Sequence, residues 1–268
     1  MHHRDLPNPD RLGMVSALVL LVYALMPFTS LPVSELPFTV LGVRVAIPLN
    51  PYMIISLLTA AAAASGADWI LRDHPRLEGA STLPYIILPA LTAWALGFPL
   101  GTLDPGRTWW AVLILGALLI IMVLIGEYAA LEPDGYYFPL AQMALTAVAC
   151  GLLLTVSAAI RFLNLRVYSL TLIMAPLSLF FALRILHLRL GRWQWDWSAA
   201  IALVLTQLAV GLHYWPLPAL PTGLIITGIG YAMANWAAVA VLKHDTRMAI
   251  LESAGMLAIC LILAIFST

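Results

Sequence analysis

The sequence predicts an all-α, polytopic transmembrane helical bundle of about nine spans, with a short outer β-hairpin between spans one and two. Three observations carry that expectation. Of 268 residues, 62% are hydrophobic and only 10% charged, whereas a soluble domain carries roughly 25% charged residues. Uncharged runs long enough to cross a bilayer recur along the whole chain, since a helix rising about 1.5 Å per residue needs about 20 residues for about 30 Å of hydrocarbon. Tryptophans and tyrosines gather at the ends of those runs, where amphipathic rings favour the headgroup level. Lys+Arg and Asp+Glu balance at 13 each, so no charge excess recruits nucleic acid or an acidic substrate.

Taken in order, the uncharged windows are Leu12 to Ser34, Val45 to Ala67, Gly79 to Leu103, Thr108 to Gly126, Gly135 to Ile160, Val167 to Leu183, Trp197 to Leu242 and Ser253 to Thr268. The first follows a polar leader and lacks a small-residue cleavage site, so it reads as a retained span and not a signal peptide. The seventh is too long for one helix. Pro216, Pro218 and Pro221 interrupt it, and proline removes backbone donors and discourages helix continuation, so it divides into two helices and a turn. The last window is short, but a helix starting near Arg247 gains a turn and holds Glu252 at the interface, where a charge is tolerated. Between spans one and two, the β-branched, Gly-punctuated stretch Phe38 to Ile47, bounded by Pro37 and Pro48, reads as a hairpin on the outer surface. A partly extended loop capping an outward cavity is the alternative. No internal repeat or interdomain linker is visible, so residues 1–268 form a single membrane domain. Cys150 and Cys260 lie inside apolar runs and behave as small hydrophobes.

Orientation follows from Lys and Arg. With the N-terminus cytoplasmic, nine fall inside (Arg4, Arg11, Arg72, Arg76, Arg184, Arg189, Arg192, Lys243 and Arg247) and four outside (Arg44, Arg107, Arg161 and Arg166). The expected location is an inner membrane crossed many times, with the C-terminus outside. Trp69, Trp109, Trp110, Tyr136, Tyr137, Trp193, Trp195, Trp197, Tyr214 and Trp215 serve as interface anchors.

Few groups carry chemistry. Asp68 and Arg72, spaced i, i+4 at the end of span two, pair on one helix face. His74 beside Asp73 and Arg76 is either a solvated loop residue or a metal or proton site. Glu127, Glu132 and Asp134 stand without a basic residue between them. Either they neutralise the arginine-rich loop Arg184 to Arg192 at the headgroup layer, or Glu127, the deepest, binds a proton, cation or polar substrate group within the bundle. On span eight, Gly223, Thr227, Gly230, Ala234 and Ala237 share one face, a spacing that lets helices approach closely; an internal contact, a homodimer face and a narrow path are the options. Asn235 bonds a neighbouring helix. His213 with Tyr214 and Trp215 forms an interfacial turn. The histidines show no metal-ligand spacing, and no nucleophile elbow, P-loop, dinucleotide fingerprint or CxxC pair occurs. The sequence assigns no cofactor and no metal.

The loop Gly66-Ala67-Asp68-x-x-x-Arg72-x-His74-Pro75, the turn Tyr214-Trp215-Pro216-Leu217, and Thr246-Arg247 with Leu251-Glu252 resemble a family of uncharacterised polytopic membrane proteins of green filamentous bacteria, a domain of unknown function. The resemblance implies a bacterial inner-membrane location and directs interest to Asp68, Arg72, His74 and Glu252, leaving their roles open. Function is thereby expected in one of three classes. The first binds or transports a lipid or small amphipathic molecule, with Glu127 or the Asp68, Arg72 and His74 loop touching its polar head. The second is an enzyme acting on a lipid or isoprenoid at the cytoplasmic face, and the third a structural subunit joined through the small-residue face of span eight. Membrane lipids are the expected partners in each, and nucleic acid in none.

Overall fold

The computed structural model describes the backbone of residues 7–28, 34–40, 43–49, 51–77, 81–242 and 246–267. Among them are nine α-helices: α1 (Pro9–Ala24), α2 (Pro51–Leu71), α3 (Leu83–Thr102), α4 (Arg107–Ala129), α5 (Phe138–Phe162), α6 (Val167–Leu190), α7 (Trp195–His213), α8 (Ala219–Leu242) and α9 (Thr246–Phe266). Eight are long and apolar enough to cross a membrane, and in the ninth the apolar part described is the 17-residue stretch Ile250–Phe266. The chain packs as two compact units, residues 1–138 and 139–268.

Helix ends follow local chemistry. Asn8 caps α1 by accepting from the Asp10 N–H at 3.0 Å, with Pro9 in the first turn, where its missing donor costs nothing. At the end of α5, Asn164 takes φ 47° and the Leu165 N–H returns to the Ile160 carbonyl at 3.4 Å, a left-handed stop of the kind asparagine tolerates. Helix α6 stops at Gly191, whose φ of 65° is cheap only for glycine. It therefore continues seven residues beyond the Leu183 end expected from charge, because an arginine ends an uncharged run without ending a helix. Arg184 and Arg189 accordingly belong to α6 and not to a loop.

Between α1 and α2, strands β1 (Ser34–Val40) and β2 (Val43–Leu49) pair antiparallel, with Val40 opposite Val43 and Ser34 opposite Leu49. Pro37 and Pro48 lie within the strands, where the sequence placed them at the boundary. They oppose Ala46 and Glu35, alternate pairs of one class, and a two-stranded ladder tolerates proline because each strand is an edge.

In the first unit, α1, α2, α3 and α4 pack around buried Val19, Tyr23, Ala63, Leu100, Ile120 and Leu124. Single glycines set the spacing. A Cβ at Gly66 of α2 would stand 2.4 Å from Val15 of α1, and one at Gly97 of α3 would stand 2.5 Å from Ser56 of α2. Backbones that close gain dispersion contacts, the main attraction between helices in lipid. The Tyr23 hydroxyl donates to the Ala93 carbonyl, and the indole N–H of Trp109 donates to the Leu100 carbonyl at 3.0 Å, one of the acceptors left over at the end of α3. Trp109 is thus buried, while its neighbour Trp110 is exposed, which removes Trp109 from the interface anchors.

In the second unit, α8 packs against α6, α7 and α9, and also meets α5. A Cβ at Gly223 would lie 2.7 Å from the Leu154 carbonyl oxygen, and one at Gly230 would lie 3.1 Å from both Leu153 and Leu205 and 3.2 Å from Phe181. Thr227 and Ala234 are buried on the same helix. The small-residue face is therefore occupied within the unit, by α5, α6 and α7. Gly228 serves α9, where a Cβ would meet that of Cys260 at 2.8 Å.

Candidate functional site

Hydrophobic burial leaves the polar residues of the first unit at the helix ends, and alternation of direction brings four such ends together: the start of α1, the end of α2, the start of α3 and the end of α4. Arg11 joins α1 to the loop after α2, reaching Asp73 at 2.8 Å and the Trp69 carbonyl at 3.0 Å, with its guanidinium 4.6 Å from the centre of the Trp69 ring. Asp68 accepts from Arg72 at 2.8 Å and from the Thr82 hydroxyl at the start of α3. The i, i+4 pair expected from the sequence is thus present, and it also ties α2 to α3. Its Arg72 side chain is 71% exposed, where an ion pair contributes roughly 0–1 kcal/mol.

His74 is not a solvated loop residue: it is buried. Its ring stands edge-on to Tyr128 of α4 with centroids 4.9 Å apart, and its Nδ1 accepts from the Arg76 N–H at 3.3 Å. Arg76 reaches Asp134 at 3.4 Å and Glu132 at 3.9 Å. Two carboxylates of the loop after α4, Glu132 and Asp134, thus meet a cation of their own unit, Arg76. Glu127 is fully buried one residue before Tyr128, as its position inside an apolar run implied. A carboxylate buried at such a depth is costly unless it is paired.

The loops after α2 and α4 line a cleft formed by His74, Tyr128, Ala129, Glu132, Gly135, Tyr136 and Tyr137. A tight turn shapes one wall: the Gly135 N–H donates to the Glu132 carbonyl at 2.8 Å, and a Cβ at Gly135 would stand 2.9 Å from that oxygen. Tyr136 and Tyr137 pack edge to face at 5.2 Å, and both are exposed. The cleft thus offers aromatic rings, a histidine and a carboxylate, open to the outside and backed by an apolar bundle. Sequence reasoning singled out each loop but not their meeting, which depends on contacts more than 50 residues apart in the chain.

The second unit holds two further polar constructions. Arg189 of α6 donates to Asn235 of α8, to the Tyr231 hydroxyl at 3.0 Å and to Glu252 of α9 at 3.4 Å. Tyr231 donates to Glu252, and Asn235 donates to Ser253 at 2.8 Å. Glu252 thereby fastens the start of α9 to α6 and α8. At another helix junction, the Arg161 guanidinium donates to the carbonyls of Leu217, His213 and Trp215, each at 2.9 Å. That turn carries Pro216 and Pro218, which supply no N–H; the Trp215 carbonyl still accepts from the Leu217 N–H at 2.8 Å, and the arginine at the end of α5 adds a donor to it and to the carbonyls of His213 and Leu217. Among the described residues no group of three His, Cys, Asp or Glu side chains could hold a metal ion.

Repeated long apolar helices, hydroxyls that bond back to their own helix such as Thr59 to Ile55 at 2.6 Å and Thr206 to Ala202 at 2.7 Å, and charged groups gathered toward helix ends define a multi-pass membrane protein. The chain belongs to the family described as Protein of unknown function (DUF5656), whose model matches residues 31–267. No curated protein and no solved structure matches the chain.

Proposed function

We propose that the protein is a bacterial inner-membrane protein that binds or transports a lipid or small amphipathic molecule, with the polar head held at the cleft between the loops after α2 and α4. The observation that carries this reading is the meeting of His74, Tyr128 and Glu132 at the polar end of an otherwise apolar four-helix unit. Such an end places polar contacts at headgroup depth and apolar helix surface beside them, the two surfaces an amphipath needs. Arg11, Arg72 and Arg76 all belong to this end, whereas Arg107 begins α4 at the opposite end. By the positive-inside rule the cleft therefore faces the cytoplasm, with the N-terminus on the same side. In this arrangement β1 and β2 lie on the outer side, and α9 completes a ninth span that carries the C-terminus outside.

The test uses Tyr136→Cys, exposed at the mouth of the cleft, in a background with Cys150 and Cys260 changed to Ala. Adding a polar lipid extract to the maltoside-solubilised protein is expected to slow its modification by a water-soluble maleimide. Asp104→Cys, at the other end of the unit, is expected to react at an unchanged rate. Equal protection at both ends, or at neither, would remove the reading.

A further inference from the structure

We propose that β1 and β2 form an interfacial element that lies on the bilayer surface opposite the cleft, with one face of the hairpin set among the lipid headgroups and upper acyl chains. Register carries the argument. In an antiparallel ladder directly opposed residues share a face, and successive pairs alternate between faces. Leu36 with Ile47, Phe38 with Val45 and Val40 with Val43 therefore share one face, with Ser34 and Leu49 at its base. Glu35 with Pro48, Pro37 with Ala46 and Thr39 with Arg44 share the other. The first face has no charged position and, apart from Ser34, only aliphatic and aromatic residues. On the second stand an acid, a base, a threonine and two prolines beside Ala46. The hairpin is thus amphipathic along its whole length, about 23 Å for strands of 7 residues at about 3.3 Å per residue.

Lipid is the occupant that fits the apolar face. A two-stranded hairpin is marginal in water and gains stability when such a face is covered, and among the described residues no helix makes more than slight contact with either strand. Its base is held at the membrane boundary. The apolar stretch Pro9–Phe28 leads in, and only Asn50 separates Leu49 from Pro51 at the start of α2, so the face begins at headgroup depth. The free edges, meanwhile, are closed to strand addition. Val40 and Val43, joined through Leu41 and Gly42, close the ladder as a hydrogen-bonded pair, and every second pair from there bonds likewise. Pro37 and Pro48 fall in the pairs between, where an N–H would point out of the ladder. Each outer edge therefore lacks a donor, and an edge proline obstructs pairing with a further strand. What remains for interaction is the apolar face, which suits a surface that asks for no backbone bonds. Glu35 and Arg44 on the other face balance, so the fit does not depend on anionic lipid. Nor does it depend on what the cleft binds.

The experiment is site-directed spin labelling of the full chain in phosphatidylcholine nanodiscs, with Cys150 and Cys260 changed to Ala. One nitroxide at a time is attached to Val45→Cys, Ile47→Cys, Thr39→Cys or Ala46→Cys. Collision with oxygen, which concentrates in hydrocarbon, is compared with collision with a nickel chelate, which stays in water. The expected ratio of oxygen to nickel collision is at least fivefold higher at positions 45 and 47 than at 39 and 46. Two positions on each face keep the comparison decisive if one label disturbs its strand. Nickel collision as frequent at 45 and 47 as at 39 and 46 would mean a hairpin standing in water, and would overturn the proposal. Low collision with both reagents at 45 and 47 would mean that protein covers the face, whether the bundle, a second copy or a partner, and would overturn it as well.

Discussion

Gly223 shows how little room individual positions leave. With the Leu154 carbonyl oxygen 2.7 Å from its absent Cβ, Gly223→Leu must push α8 from α5. Overpacking of this kind costs about 1–3 kcal/mol, so thermal unfolding in detergent should show a clear loss for Gly223→Leu. Gly151→Ala should hold or gain slightly, because nothing lies within 4 Å of that position and alanine favours the helix. Arg161 makes an equally local case. Arg161→Gln gives up charged donors to the three carbonyls of residues 213–217, a loss of about 2 kcal/mol or more. Amide exchange in that turn should speed up while α2 and α3 stay protected. These two cases also show what a sequence discloses about single residues. Glu127 was legible, because a carboxylate inside an apolar run goes inside with the run. His74 was not, because its burial depends on Tyr128, 54 positions away. The role of Arg161 had a signal: prolines after α7 reduce the backbone donors available to the carbonyls of that turn, and an arginine is a natural substitute.

At the level of elements, helices were readable because length and apolarity in a bilayer have a single solution, a helix with its backbone bonds made internally. Their ends were less so. Charge located the end of the uncharged run at Leu183, whereas Gly191, with its left-handed φ, marks the end of α6. The small-residue face of α8 was visible as a repeat, but the single glycines that bring α1, α2 and α3 together, Gly66 and Gly97, form no pattern. Helix α9 is the least embedded element: Leu251, Ile259, Ile262, Ile265 and Phe266 are exposed, and only Cys260 and Ala264 are buried among its described side chains. It is held by Glu252 and Ser253 at its start and by Cys260 against Gly228. A reporter active only outside the cytoplasm, fused after Thr268, should be active if α9 crosses the membrane. An inactive fusion with an active cytoplasmic counterpart would leave eight crossings.

On the scale of the whole molecule, the division into units at residue 138 had no trace in the sequence, since the boundary falls in a short connection with no change of composition. Each unit gathers its charges at helix ends and leaves apolar surface between them, which is what insertion in a bilayer requires. In the first unit the buried His74 and Tyr128, the latter next to buried Glu127 in the chain, line an open aromatic cleft. That cleft, at the polar end of an apolar bundle, is the basis of the binding function proposed above. Native mass spectrometry of the protein released from mild detergent, with lipid analysis of the same sample, tests that assignment most directly. The account predicts one amphipath retained at fixed stoichiometry, and reduced retention in His74→Gln and Glu132→Gln. A protein that sheds only bulk lipid, or variants that retain the same molecule undiminished, would contradict it.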